Sequence, residues 1–145
     1  MIRKAAAPDI PAILALGRMM HAESRYSKFN YDEAKYRQLV THIVANGIAL
    51  LAEQNGEIIG VFLGIVRPHF FGNDLQASDF IQYIAPEHRG GMAGIRLIKE
   101  YIKEARRMGA KDICIANSSG IATERTGDIY RRLGFTLHGY DYSME

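Results

Sequence analysis

The segment with the clearest chemical content runs from Tyr83 to Leu97, where an apolar run enters a glycine-rich turn and then a long amphipathic stretch. Apolar side chains recur at helical spacing from Met92 to Met108, which predicts a helix that Gly109 ends. The first amides of such a helix have no acceptor within it, and the helix dipole adds partial positive charge there. Because glycines let a backbone approach an anion closely, the segment is typical of a phosphate or diphosphate site. A tight turn that binds nothing has the same composition, so the residues alone leave both interpretations open.

Two common nucleotide-binding motifs fit this turn poorly. A dinucleotide-binding fingerprint follows the first strand of its fold and has an acidic residue about 20 positions later. Here the turn lies in mid-chain, after a hairpin that Asn55-Gly56 predicts between two apolar runs. A P-loop ends in Gly-Lys-Ser or Gly-Lys-Thr, whereas this turn continues as Gly94-Ile95-Arg96.

The elements that must position the turn follow from hydrophobic periodicity and turn residues. Helices are predicted over residues 10–20, from 30–32 to 47, 92–108 and 123–133, and strands over residues 2–6, 48–53, 57–66, 78–85, 113–116, 135–138 and 140–143. This order indicates an α/β fold, with a mixed, mostly antiparallel sheet, a central parallel crossover and flanking helices. A length of 145 residues fits one hydrophobic core, so we expect a single domain over residues 1–145.

Composition and charge argue against several classes of protein. The net charge of +2 is too small to indicate a nucleic-acid or membrane partner. Cys114, the one cysteine, is predicted to be a small buried hydrophobe, which fits a reducing compartment. The N-terminal residues lack the pattern of a signal peptide, and we expect a cytoplasmic protein. The five histidines show no metal-ligand spacing, so no metal site is predicted.

Two motifs resemble those of a known family, the GNAT acetyltransferases. The run Pro86-Glu87-His88-Arg89-Gly90-Gly91-Met92-Ala93-Gly94 is similar to motif A of that family, commonly Pro-Glu-x-Arg-Gly-x-Gly-x-Gly or Ala. The later run Tyr130-Arg131-Arg132-Leu133-Gly134-Phe135 is similar to its Tyr-x-x-Leu-Gly-Phe, at the usual distance. The order of helices and strands matches the family along nearly the whole chain. Met92 replaces the usual middle glycine, which would be accommodated with the side chain in the core, and Thr123 replaces an asparagine.

The resemblance implies a binding site for acetyl-CoA as co-substrate, and it assigns roles by position. The backbone of Ile84 would pair with the pantetheine arm and the acetyl group, and Asn117 would contact the arm. Tyr130 would protonate the departing thiolate. The amides that would hold the diphosphate of the coenzyme belong to Arg89, Gly90, Gly91, Met92, Ala93 and Gly94.

The implied activity is transfer of an acetyl group from acetyl-CoA to a primary amine of a small molecule or a protein. Direct attack within a ternary complex is expected, because Cys114 is predicted to be buried and no activated serine or cysteine is evident. Two alternatives stay open: a catalytically silent acyl-CoA-binding or regulatory domain, and a protein interaction module that binds no coenzyme. The segment from Gly120 to Gly127 and the aromatic loop that contains His69, Phe70 and Phe71 are similar to segments of phage and bacterial acetyltransferases whose acceptors are often undefined.

The general base and the acceptor surface are less well defined by sequence. Glu23, Asp79 and Glu87 are candidate bases, and strict alternation along a strand would keep Asp79 and Gln82 on opposite faces. His69-Phe70-Phe71 is a candidate lining of the acceptor mouth. Tyr140 and Tyr142 could edge the same pocket or form the contact of a homodimer.

Overall fold

The computed structural model describes residues 1–144, which form a five-stranded sheet in the order β1-β2-β3-β4-β5 with helices on both faces. The strands are β1 (Ile2–Lys4), β2 (Ile48–Gln54), β3 (Glu57–Pro68), β4 (Leu75–Ile84) and β5 (Asp112–Ile113). The helices are α1 (Ile10–Glu23), α2 (Glu33–Asn46), α3 (Ala93–Arg107) and α4 (Thr123–Arg132). Strands β1 to β4 are antiparallel neighbours, and β5 is parallel to β4. The predicted mixed sheet with a parallel crossover is confirmed.

Local sequence explains the main hairpin and the start of α2. Asn55 and Gly56 both have positive φ, 52° and 77°, which is the backbone that a two-residue turn between twisted strands requires. The carboxylate of Asp32 accepts a hydrogen bond from the Lys35 amide at 3.2 Å and so caps α2. The predicted hairpin and the predicted start of the second helix near residues 30–32 are therefore both confirmed.

The two faces of the sheet are covered by different helices. Ile13 of α1 and Ile43 of α2 are fully buried on one face. On the other face, the ring of Tyr101 in α3 stacks on Phe62 of β3 with 4.3 Å between centroids. Both faces of the central strands are therefore dry, which explains why β2 and β3 consist of nearly continuous apolar runs.

One irregularity in β4 changes which side chains share a face. Leu63 of β3 pairs with Ile81, but the next residue, Gly64, pairs with Asp79, so Phe80 is an extra residue in the ladder. Such a bulge shifts the alternation of side chains by one position. Asp79 and Gln82 consequently lie on the same side of the strand, and the expectation that they face opposite sides is wrong.

The C-terminal part of the chain also differs from the prediction. No strand follows α4 among residues 1–144, and residues 136–144 are exposed, so the strands predicted over residues 135–138 and 140–143 are wrong. β5 is shorter than its predicted span of residues 113–116. The C-terminal segment forms no strand because β5 leaves the sheet soon after it starts. So short an edge offers few backbone groups with which another strand could pair. Within residues 1–144, no helix combines the length and apolarity needed to cross a membrane.

Candidate functional site

A cavity of about 380 Å³ opens where β4 and β5 diverge, between the start of α3 and the start of α4. Its walls include both ends of the predicted site, namely Ile84 with the glycine turn on one side and Asn117 with Tyr130 on the other. We use "glycine turn" for residues 89–94. Met92 and Ala93 are the two turn residues that do not line the cavity.

Where β4 and β5 diverge, the Asp79 side chain replaces the backbone of β4 as the hydrogen-bond acceptor for the neighbouring chain. The Cys114 amide still donates to the Ala77 carbonyl of β4 at 2.8 Å. Two residues later, the Ala116 amide donates instead to the carboxylate of Asp79 at 2.9 Å. Beyond this point the two strands separate, and the edge of β4 that leads to Ile84 has no neighbouring strand.

The register of β4 determines which backbone groups face this open edge. The Ala85 amide donates to Ile59 of β3 at 2.9 Å, which makes the adjacent pair Gly60 and Ile84 the non-hydrogen-bonded one. The N–H and C=O of Ile84 therefore point away from β3 and toward the cavity. This orientation is the one that the predicted pairing of the Ile84 backbone with a pantetheine arm would require.

The amides of the glycine turn are free except that of Arg89, which donates to the Pro86 carbonyl at 3.3 Å and so, contrary to the prediction, is not available to a diphosphate. Pro86–His88 form one turn of 3₁₀ helix, after which Gly90 adopts φ of +91°, a conformation that favours glycine. The Arg96 amide is the first in α3 to find an acceptor, the Met92 carbonyl at 2.9 Å. Within residues 1–144, no carbonyl or side chain accepts a hydrogen bond from the amides of residues 90–95. Met92 is 50% exposed, so its side chain does not point into the core as the sequence analysis proposed.

The Arg89 side chain turns away from these amides and closes a cluster that we call the Arg89 clasp, formed by Glu23, Tyr83, Ile84 and Arg89. Its guanidinium contacts both carboxylate oxygens of Glu23, at 2.5 and 2.7 Å, and its Nε donates to the Ile84 carbonyl at 2.9 Å. The Tyr83 hydroxyl donates to the same carboxylate at 2.7 Å. The hydrogen bonds from Arg89 hold the pKa of Glu23 below its usual value. Glu23 is therefore a weak proton acceptor, although sequence analysis placed it among the candidate bases.

Asp79 and Tyr130 both form hydrogen bonds with the backbone of Ala116, in the segment that follows β5. Asp79 accepts from the Ala116 amide, and the Tyr130 hydroxyl donates to the Ala116 carbonyl at 2.8 Å. Burial raises the pKa of Asp79 from 3.8 to about 6, against the opposing effect of its hydrogen bonds from backbone amides. Burial, with a smaller contribution from the charge of Asp79, raises the pKa of Tyr130 well above its usual value. Asp79 thus titrates close to neutrality, while Tyr130 stays protonated there.

The segment after β5 closes the opposite wall and includes residues that sequence analysis did not select. The Asn117 side chain lines the cavity, but its Nδ2 donates to the Thr123 carbonyl at 2.8 Å and ties this segment to α4. Tyr26, which follows α1, contacts the Ser118 hydroxyl at 3.0 Å. Arg125 also lines the cavity. The sequence signal for Arg125 is its place in the first turn of a predicted helix that follows a loop.

Two other candidates from the sequence, Cys114 and Glu87, lie outside the cavity. Cys114 is half-buried rather than buried, and burial raises its pKa to about 11, so it remains a thiol. Glu87 lies on the surface with Glu57 and His88, whose ligand atoms come within 4.8 Å of one another. Exposed acidic groups commonly do so without binding an ion.

The aromatic loop also lies elsewhere. His69, Phe70 and Phe71 stack on one another, and both phenylalanines are more than four-fifths exposed. The loop precedes the Leu75 end of β4, opposite the end that enters the glycine turn. The expectation that it lines the mouth of this site is therefore wrong.

Comparisons with known proteins identify the family and the fold. A family model described as the acetyltransferase (GNAT) family matches residues 16–135. No curated protein matches. The chain is similar in fold to an aminoglycoside antibiotic 6′-N-acetyltransferase from Acinetobacter haemolyticus, with 16% identity, a TM-score of 0.75, and coverage of 100% of this chain and 97% of that one.

Two further solved structures have the same fold. A ribosomal-protein-alanine N-acetyltransferase from Brucella melitensis has 15% identity and a TM-score of 0.71, with 100% of this chain and 99% of that chain covered. A predicted acetyltransferase from Clostridium acetobutylicum, solved with acetyl-CoA, has 16% identity and a TM-score of 0.77, with 100% and 95% covered. At these identities the likeness establishes the fold alone.

The state of Asp79 can be tested without any substrate. Because its pKa is raised in the folded protein, the native state takes up a proton as the pH falls through about 6, and burying the charge costs stability above that pH. Asp79→Asn keeps an oxygen for the Ala116 amide and removes the charge. We expect its unfolding free energy at pH 8 to exceed that of wild type by about 2 kcal/mol, with the gain shrinking toward pH 4.

Urea denaturation across this pH range measures the difference. The control, Asp141→Asn, removes a carboxylate from the exposed C-terminal segment and should change stability by less than about 0.5 kcal/mol at every pH. A loss of stability in Asp79→Asn at pH 8 would show that the carboxylate is stabilised rather than strained by its surroundings.

Proposed function

Because the chain belongs to the GNAT acetyltransferase family, we propose that it transfers the acetyl group of acetyl-CoA to a primary amine. The amine attacks the thioester directly while both substrates are bound. The observation that supports this most strongly is the junction of an open strand edge at Ile84 with the free amides of residues 90–95. We further propose that residues 1–145 act as one domain and that the reaction takes place in the cytoplasm.

The two parts of this junction match two adjacent parts of the coenzyme, the diphosphate and the pantetheine arm. The diphosphate carries negative charge, and the amides of the glycine turn together with the α3 dipole favour an anion. The pantetheine arm contains amides, which pair with a free strand edge as another strand would. On the Ile84 side, the N–H is free to donate, while the C=O already accepts from Arg89 Nε. An arm amide that uses this carbonyl must therefore share it with Arg89 or displace Arg89.

Asp79 is the carboxylate best placed to receive the proton that the amine loses. An ammonium group cannot attack, and a lysine-like amine has a pKa of about 10.4 in water, so a base is needed. Asp79 lines the cavity, and its pKa of about 6 leaves it ionised at neutral pH. Glu23 is committed to Arg89, and Glu87 lies outside the cavity. We therefore assign the base to Asp79, either directly or through one water molecule.

Tyr130 is the proposed proton donor to the leaving thiolate. As the C–N bond forms and the C–S bond breaks, sulfur takes up the electron pair and then requires a proton. Tyr130 lines the cavity, and its hydroxyl stays protonated at neutral pH because burial raises its pKa. Its proton is directed at the Ala116 carbonyl, so donation requires the hydroxyl to turn from that oxygen to the sulfur. The backbone N–H groups of the open β4 edge are the available donors to the oxyanion.

The charges around the cavity narrow the class of acceptor. Among the described residues that line it, Asp79 is the single carboxylate, while Arg89 and Arg125 are the arginines. An aminoglycoside carries several ammonium groups. Because Glu23 pairs with Arg89, the charges left to face an acceptor are those of Asp79 and Arg125, and one carboxylate offset by one arginine cannot neutralise such a polycation. We propose an acceptor with one amine, on a small molecule or a protein.

Calorimetric titration with acetyl-CoA, followed by a free-thiol assay over a panel of amines, tests the function. We expect micromolar binding, acceptor-dependent thiol release, and rates that decline as the pH falls through about 6, because Asp79 becomes protonated. Binding without turnover on any amine would indicate a silent acyl-CoA-binding domain. No binding at all would contradict the proposal and favour an interaction module.

The role of Tyr130 is tested by Tyr130→Phe, with Tyr101→Phe as a matched control. Tyr101 also buries its hydroxyl on a carbonyl beside β5, that of Cys114 at 2.6 Å, but it does not line the cavity. Each variant should lose about 1 kcal/mol of stability. Only Tyr130→Phe should reduce kcat, by about 100-fold, with acetyl-CoA affinity close to wild type. Equal kcat in the two variants would make Tyr130 a packing residue.

A further inference from the structure

Two guanidinium groups lie beside the glycine turn, and they differ in whether a carboxylate compensates their charge. Arg89 belongs to the turn by sequence, but its side chain is held in the Arg89 clasp by both oxygens of Glu23. Its charge is therefore compensated by a carboxylate and directed away from the amides of residues 90–95. The glycine turn receives little net attraction for an anion from its own arginine.

The other guanidinium belongs to Arg125, in the first turn of α4 on the facing wall. Its Nη2 lies 3.8 Å from the position that a Cβ on Gly90 would occupy. The side chain is exposed and lines the same cavity as Gly90 and Gly91. Among residues 1–144, no carboxylate forms an ion pair with it. Arg125 is thus a cation that has no ion-pair partner among the described residues and lies beside the glycine turn.

Arg125 adds a full positive charge to a site whose backbone amides carry only partial charges. Amides at a helix start contribute only partial charges, while a diphosphate carries full negative charges with several acceptor oxygens. A guanidinium makes charge-assisted, often bidentate hydrogen bonds to phosphate that are stronger than those of neutral donors. An anion in the turn would contact amides of α3 on one side and Arg125 of α4 on the other.

We propose that Arg125 binds the diphosphate of the coenzyme and so joins α4 to α3 across the bound ligand. This inference rests on the proposed function, because it assigns a residue within the same site. Arg125 is a coenzyme-binding residue in this account and takes no part in proton transfer. Arg89, in contrast, acts as a positioning residue that braces Glu23 and the Ile84 carbonyl.

The test compares wild type, Arg125→Gln and Arg132→Gln by calorimetric titration with CoA and with 3′-dephospho-CoA. Arg132 is an exposed arginine of the same helix, about 10 Å farther along its axis, and it does not line the cavity. Arg125→Gln should weaken binding of both ligands by about tenfold, the effect of one charge-assisted hydrogen bond. Arg125→Lys should give a smaller loss, and Arg132→Gln a change below about twofold. Thermal unfolding should confirm that all variants are folded.

The outcomes separate this inference from the function on which it rests. A loss seen with CoA but not with 3′-dephospho-CoA would place Arg125 on the 3′-phosphate and overturn the proposal. An equal loss in Arg132→Gln, or no loss in Arg125→Gln, would overturn it as well. Absence of CoA binding in the wild type would instead contradict the proposed function itself.

Discussion

The parting of β4 and β5 is the constraint on which the rest of this site depends. Parallel strands in a continuous sheet satisfy each other's backbone groups along their length, and such a sheet leaves no room for an extended ligand. Here the extra residue at Phe80 shifts the alternation of side chains along β4. The Asp79 side chain consequently lies next to Ala116, where the chain after β5 separates from β4. The Asp79 carboxylate then accepts the Ala116 amide in place of a backbone carbonyl. The sheet opens without leaving that amide unsatisfied.

Because the Asp79 carboxylate replaces a backbone carbonyl as the acceptor, it is buried, and this burial determines its protonation behaviour. A carboxylate removed from water resists ionisation, so its pKa rises toward neutrality. The same burial keeps the hydroxyl of Tyr130 protonated on the other side of Ala116. The proposed proton acceptor and proton donor thus depend on the same structural feature that opens the cavity. The Arg89 clasp adds a second link, because it connects the end of α1 to the end of β4 through Glu23.

Much of the fold could be predicted because its signals are local. Asn55-Gly56 specifies a tight hairpin, and the apolar spacing of α3 with glycines before it specifies a helix that starts at a turn. The features that control chemistry depend instead on residues distant in sequence. The bulge at Phe80 depends on the register of β4 against β3. The clasp pairs Arg89 with a residue 66 positions earlier, so nothing near Arg89 indicated that its side chain would turn away from the glycine turn.

The C-terminal segment was predicted wrongly for the opposite reason. Its local pattern is that of a strand, but the edge of β5 is too short for it to pair with. Residues 135–143 alternate apolar and polar side chains as a strand does, but a strand requires a neighbouring edge. β5 follows β4 for two residues only, and its direction is then set by Asp79 and Tyr130 at Ala116. The opening that creates the cavity therefore also removes the ladder that this segment would need.

Amide hydrogen exchange with and without CoA tests the central claim most directly, because it reports on the backbone groups themselves. The account predicts slower exchange on CoA addition in peptides covering residues 84–95, with a second protected region at the start of α4. Peptides from the aromatic loop around Phe70 and from the exposed C-terminal segment should exchange at unchanged rates. Unaltered exchange at residues 84–95 in a sample shown to bind CoA would contradict the claim that the open edge of β4 and the glycine turn hold the coenzyme.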